Sequence, residues 1–211
     1  MFIRGFARRM SALACATVVS FSAQAETPIG SNVDSRVLVG LSVNSEAMQS
    51  LMPEGWQSIS WPAGPLQGSN LLLAFIDGIL EMDADGIPLD PPNRRALALV
   101  GLGKSDDDVR GFVLRMMSTV PERDPYSVAV PANIARTRTL QHGADGERII
   151  SDSWTVQPEG GGALEIMLEY SAGKRGWSAG ESFPYSAAEP TFSRIYRYDQ
   201  MVDLVVSEGL G

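Results

Sequence analysis

Apolar positions in this chain recur at every second residue far more often than at every third or fourth. Val37, Val39, Leu41 and Val43 alternate with other residues, the period of a half-buried strand. Asn44 or Ser45 then offers a helix cap. Ala47, Met48, Leu51 and Met52 fall on one side of a short helix that Pro53 ends. Apolar runs follow at 71–75, 79–82 and 97–102. Asp83-Ala84-Asp85-Gly86 separates the second run from the third, and the charged turn Asp106-Asp107-Asp108 follows the third. Phe112, Leu114 and Met116 alternate, and Ile134, Arg136 and Arg138 share one face if that stretch is extended. Gly-rich turns at 143–146 and 160–162 precede strand-like segments at 149–156 and 164–170, and a last alternation runs from Phe192 to Tyr198. Strands at this spacing predict a mainly β protein, an antiparallel barrel or sandwich with a central cavity and one or two short helices. Residues 171–190 show no period and are expected to form a long lid or binding loop.

Residues 1–25 have the order of a secretory signal. Arg4, Arg8 and Arg9 precede an apolar stretch at 10–21, and Ala23-Gln24-Ala25 is a small-x-small cleavage site. That stretch is too short to span a bilayer, which takes about 20 residues. Arg8-Arg9 is followed by Ser11 and Ala12 where a twin-arginine signal would carry bulkier residues. Cys15 interrupts the apolar stretch and does not end it, as a lipid attachment site would. The expected domains are therefore a signal peptide at 1–25 and one β-rich unit at 26–211, periplasmic or secreted. Charge sharpens this picture. The whole chain carries 17 Lys+Arg against 25 Asp+Glu, a net of −8; cleavage leaves 14 against 25, a net of −11. Such an excess disfavours nucleic acid and anionic membranes as partners, and no later stretch is apolar enough for a membrane span. Cys15 is the single cysteine, so the mature chain has no disulfide and no thiolate ligand.

Four motifs carry candidate chemistry. Gly176-Trp177-Ser178-Ala179-Gly180 matches a nucleophile elbow, but its histidine should follow the serine, and His142, the single histidine, precedes it. His142 without cysteines lacks the company a zinc site needs. Glu81, Asp83, Asp85 and Gly86 have the spacing that opens a calcium loop, yet its twelfth position is Pro92 where a bidentate glutamate is required. The fourth is a set of arginines. Arg136 and Arg138, with Arg115 on another strand, fall inside β-patterned segments of an acidic chain. If their face lines the cavity, they are suited to a carboxylate held by paired hydrogen bonds. In that case acids such as Glu81 or Glu165 must lie close to them when no ligand is present, because a buried arginine is costly unpaired. If the face meets solvent, they are ordinary surface residues. Arg94, in a turn-like segment, is expected to stand outside any such site. No cofactor or metal is implied; the expected partner is a small organic acid or a mainly apolar small molecule.

The segment from Val43 to Trp56, VNSEAMQSLMPEGW, resembles the entry of acetoacetate decarboxylase-like proteins, where a strand leads through a short helix to a Leu-Pro-x-Gly-type turn. The run at 71–75 and the Gly161-Gly162-Ala163-Leu164-Glu165 hairpin fit the same resemblance, which covers about residues 37–171. It implies a β-rich fold around a central cavity. In the decarboxylases it also implies a Schiff-base lysine on a mid-chain strand, in an apolar site near a second cation. The comparable stretch here, from Tyr126 to Arg136, has no lysine. The chain's two lysines, Lys104 and Lys174, fall by turns or in loops. The resemblance therefore implies fold and cavity more than amine catalysis. A lyase with relocated catalytic groups and a partner-binding envelope protein, with Trp177 and Phe183 as contacts, are the alternatives.

Overall fold

Leu71-Leu72-Leu73-Ala74-Phe75-Ile76 is apolar at odd and even positions alike because the strand it forms is covered on both faces. The computed structural model describes residues 26–203; the expected signal peptide and Cys15 lie outside the described residues. In chain order the elements are β1 (Gly30–Leu41), α1 (Ser45–Leu51), β2 (Gln57–Ile59), β3 (Leu71–Asp83), β4 (Arg94–Ser105), β5 (Asp108–Ser118), a 3-10 turn (Pro121–Arg123), β6 (Ala129–His142), β7 (Arg148–Pro158), β8 (Leu164–Ser171), β9 (Arg175–Ser182), β10 (Tyr185–Ser186) and β11 (Tyr196–Asp203). The fold is mainly β, as the periodicity predicts, with a single α-helix among the described residues.

Nine strands form one sheet. Its path is β1-β3-β4-β5-β6-β7-β8, with β2 added to β4 and β10 to β5. Among the described residues β1 and β8 pair with nothing further, so the sheet is open and not a closed barrel. Most pairs are antiparallel. The exceptions are short and parallel: 116–118 of β5 with 129–131 of β6, and β10 with 112–113 of β5. The turn after β5 makes the first of these possible. Asp124 accepts from the backbone N–H groups of Tyr126, Val128 and Ala129, at 3.0, 2.7 and 2.8 Å, and this redirects the chain.

The sheet bends so that β6 and β7 return over one face of β3 and β4. Leu71, Leu73 and Phe75 of β3 meet Ile134 of β6 and Trp154 and Val156 of β7 in one core. The Phe75 and Trp154 rings lie 5.3 Å apart. Ala74, Ala96, Ala98, Val113, Met116 and Tyr126 form a second core on the opposite face, with Phe192 and Tyr196 against it. The outer arm alternates cleanly. Ile150, Asp152, Trp154 and Val156 are buried along β7, and β8 exposes Glu165, Met167 and Glu169 between half-buried neighbours. This contrast is what covering one face or two predicts.

Asn44 caps α1, its Oδ1 accepting from Glu46 N and Ala47 N at 2.9 and 3.0 Å. The buried Met48 and half-buried Met52 settle over Gly101 and Gly103 of β4, where a Cβ would lie 2.9 Å from Met48 Cε and 2.6 Å from Met52 Cε. Two expectations change. Residues 171–190 are not an irregular lid: β9 and β10 occupy half of the segment, and β9 pairs along its whole length with β11 in a separate two-stranded ribbon. The sequence of β9 shows no alternation because nearly all of its residues are exposed. β1 starts at Gly30, well before the first alternating valine, because its early residues lie exposed at the sheet edge.

Candidate functional site

Two acids interrupt the apolar text of β3, and each is met by two arginines. Asp77 follows Phe75 on the face that β6 and β7 cover. Its Oδ1 accepts from Arg95 Nε at 3.0 Å and its Oδ2 from Arg136 Nη1 at 3.1 Å. Arg136 also grips Asp152 with two donors, Nε at 3.0 Å and Nη2 at 2.6 Å. Its side chain is 6% exposed, and that of Asp152 is 0%. The guanidinium lies over the Trp154 ring, 4.7 Å from its centroid. Burial by itself pulls the Arg136 pKa down; Asp152 and then Asp77 outweigh it, so the group stands above its ordinary value.

The second acid, Glu81, is buried. Arg94 Nε donates to its Oε1 at 2.8 Å and Arg123 Nη1 to its Oε2 at 3.0 Å. Arg123 also donates to Pro91 O at 2.7 Å. Between the two clusters opens a cleft of about 430 Å³, walled by Asp77 and Gly78 of β3, Arg94 and Arg95 of β4, Asn93 and Thr119. Arg94 lines this wall, and its Nη1 is buried with no hydrogen-bond partner among the described residues. Five arginines (94, 95, 123, 136 and 138) thus stand with three carboxylates (77, 81 and 152), a local positive excess in a strongly negative chain. Of these, Arg94, Arg95 and Asp77 line the cleft itself, beside the apolar Ile79, Pro91 and Val120; two guanidinium groups on one wall are suited chemically to a small anion.

The residues expected from sequence do not converge on one point. Arg136 is inside and paired, with Asp152 and Asp77 as its acids in place of Glu81 or Glu165. Arg138 shares its face, as the two-residue spacing requires, but is 41% exposed and only 3.8 Å from Asp152. Arg115 is exposed, its neighbours Leu114 and Met116 taking the buried positions on β5. Glu165 points outward from β8. Glu81 is buried but serves Arg94 and Arg123. Arg94 itself is no turn residue: it opens β4 and helps to wall the cleft. The legible signal for it was the pair of acids inside the apolar run of β3, which demand cations from the neighbouring strand.

The remaining motifs resolve into structure. Gly176 to Gly180 lies in mid-strand on β9, with no turn or helix to expose a strained serine. His142 is exposed at the end of β6. Asp83 Oδ1 accepts from Asp85 N and Ile87 N at 3.0 and 2.9 Å, closing a hairpin turn in which Gly86 has φ +80°. Both Lys104 and Lys174 are exposed.

No family model and no curated protein matches the chain. Solved structures do. The enduracididine biosynthesis enzyme MppR, complexed with the condensation product of pyruvate and imidazole 4-carboxaldehyde, has a TM-score of 0.52 at 12% identity, over 99% of this chain and 87% of its own. The same enzyme with HEPES bound gives 0.51 at 11% identity, over 90% and 79%. Complexed with pyruvate it gives 0.50 at 12%, over 90% and 82%. The chain shares their fold. That fold is the acetoacetate decarboxylase-like one, which accords with the resemblance carried by residues 43–56.

Proposed function

We propose that this protein is an exported small-molecule-binding protein that takes a small organic acid in the cleft walled by β3, the start of β4 and Thr119. The observation that carries the reading is the pair of guanidinium groups, Arg94 and Arg95, on the wall of the cleft. Guanidinium groups hold a carboxylate through paired, charge-assisted hydrogen bonds. The volume falls within the range of small-molecule sites, about 300–1,000 Å³. MppR, which shares the fold, has been solved with pyruvate, so pyruvate is a reasonable first probe. Imine chemistry is not part of the reading, because it needs a neutral amine in an apolar site and both lysines are exposed. Export rests on the order of charge, apolar stretch and cleavage site in residues 1–25.

Calorimetric titration with pyruvate, acetate and succinate tests the site. Arg94→Gln should weaken carboxylate binding at least tenfold, while Lys104→Ala and Lys174→Ala leave it unchanged. Borohydride added with pyruvate should add no mass to the chain. Binding indifferent to Arg94→Gln would overturn the site, and a trapped lysine would promote the lyase reading. N-terminal sequencing of protein recovered outside the cytoplasm should begin at Glu26.

A further inference from the structure

β1 is an edge strand of 12 residues, hydrogen-bonded only to β3 among the described residues. Its other side is a row of backbone donors and acceptors open to another strand. Natural edges are commonly blunted by lysine, proline or inward charge. Gly30–Leu41 contains no lysine and no proline, and it exposes an apolar residue on each face: Val33 is 51% exposed and Leu38 56%.

We propose that β1 pairs antiparallel with β1 of a second copy of this chain, about a two-fold axis through Ser35. The sequence around that residue, Val33-Asp34-Ser35-Arg36-Val37, is complementary to its own reverse. With Ser35 facing its own copy, Val33 faces Val37, Asp34 faces Arg36, and the exposed Ile29 faces the exposed Leu41. Asp34 and Arg36 already share one face, since Arg36 Nη2 lies 2.7 Å from Asp34 Oδ2 within one chain. In the pair each arginine meets the aspartate of either copy.

Charge selects this axis over its neighbours. Moving it to Asp34 sets aspartate against aspartate, and moving it to Arg36 sets arginine against arginine. Opposed like charges across strands are destabilising. The other edge of the sheet obeys the same rule with the opposite result. Pairing β8 with its own copy about the exposed Met167 opposes Glu165 to Glu169, acid against acid. The β1 edge is thus self-complementary about Ser35, and the β8 edge is not so about Met167. A two-fold pair of β1 strands closes, as an isologous contact does, and does not propagate into a fibre. The register shift between Val33 and Asp34 adds twist, and it recurs symmetrically on both sides of the axis. The inference is independent of the anion cleft.

The test uses the full chain carrying Cys15→Ser. Directly opposed residues of an antiparallel pair have Cα atoms roughly 4.5–5.5 Å apart, within disulfide reach. Ser35→Cys should therefore give a disulfide-linked dimer under mild oxidation. Ser31→Cys, opposite Val39 of the second copy, should not. By sedimentation, Asp34→Arg should raise the dimer dissociation constant about tenfold or more, and Asp34→Arg with Arg36→Asp should restore it. Equal cross-linking at 31 and 35, a monomer at all accessible concentrations, or a dimer indifferent to Asp34→Arg would each overturn the proposal.

Discussion

Replacing Arg136 by methionine tests whether the arginine is held inside as described. The substitution keeps much of the side-chain volume and removes five donors. Asp152, fully buried, is left with Arg138 Nε at 3.8 Å as its nearest cation. Asp77 keeps Arg95 at 3.0 Å, so most of the penalty falls on Asp152. Breaking a buried ion pair by removing one partner costs about 3–5 kcal/mol, because the other charge stays buried and uncompensated. Removing both partners is a different matter. Arg136→Met with Asp152→Leu should lie within about 1 kcal/mol of the parent protein, or above it, since apolar replacement of a buried pair is often neutral or stabilising. Urea unfolding, followed by far-ultraviolet circular dichroism and by tryptophan fluorescence, measures all three variants; Trp154 beneath the guanidinium is a local reporter. A single substitution costing less than about 1 kcal/mol would show that this pair is not buried as described. A double variant as unstable as the sum of the two singles would show that the residues do not act together.

Two further outcomes follow from the cores. Gly103→Val should destabilise by about 1–3 kcal/mol through overpacking, because its Cβ would sit 2.6 Å from Met52 Cε and 2.9 Å from Phe112 Cε2; thermal unfolding measures this, and an unchanged midpoint would mean that α1 does not lie on β4. Burial, and then Tyr196 beside it, push the Tyr126 phenol well above its ordinary value. The fold therefore keeps a proton that an unfolded tyrosine loses near pH ~10, so stability is complete below that pH and falls as pH rises past it. Tyr126→Phe should remove that slope. In the parent, one of the five tyrosines should resist ionisation, read at 295 nm, until the chain unfolds.

The fold was legible wherever one face of a strand is buried and the other is not. Alternation at 149–156, the Asn44 cap and the Gly- and Asp-rich turns all marked real elements, whereas the alternation read at 112–116 crosses a register shift in β5 that sends Met116 to the opposite core from Phe112 and Leu114. β9 was illegible because its pairing lies with β11, and both of its faces lack the burial that writes a period into sequence. The parallel contact of β5 with β6 was illegible too, since it depends on Asp124 gathering three backbone donors across a turn. Among site residues, two-residue spacing put Arg136 and Arg138 on one face correctly. It carried no information on depth: Arg136 reaches Asp77 and Asp152, whereas Arg138, one step along, emerges into solvent. Arg94 was passed over because a residue following two prolines looks like a turn. The acids that recruit it, Asp77 and Glu81, stood in plain view within an apolar run, where an unpaired charge is expensive.

The identity of the buried cation constrains the chemistry of the fold here. A lysine in an apolar site can shed its proton and attack a carbonyl; a guanidinium in a protein stays protonated and offers five donors in a fixed fork. On β6, where the resemblance led one to look for an amine, this chain places Arg136, clamped by two carboxylates and stacked on Trp154. Those contacts use its donors on Asp152 and Asp77 and leave it to position Asp77, whose other oxygen holds Arg95 at the cleft. The interior charge therefore acts by orientation: Asp152 fixes Arg136, Arg136 fixes Asp77, and Asp77 fixes the arginine nearest to solvent. A chain of charge-assisted hydrogen bonds of this kind is what the proposed anion site needs for pre-organisation.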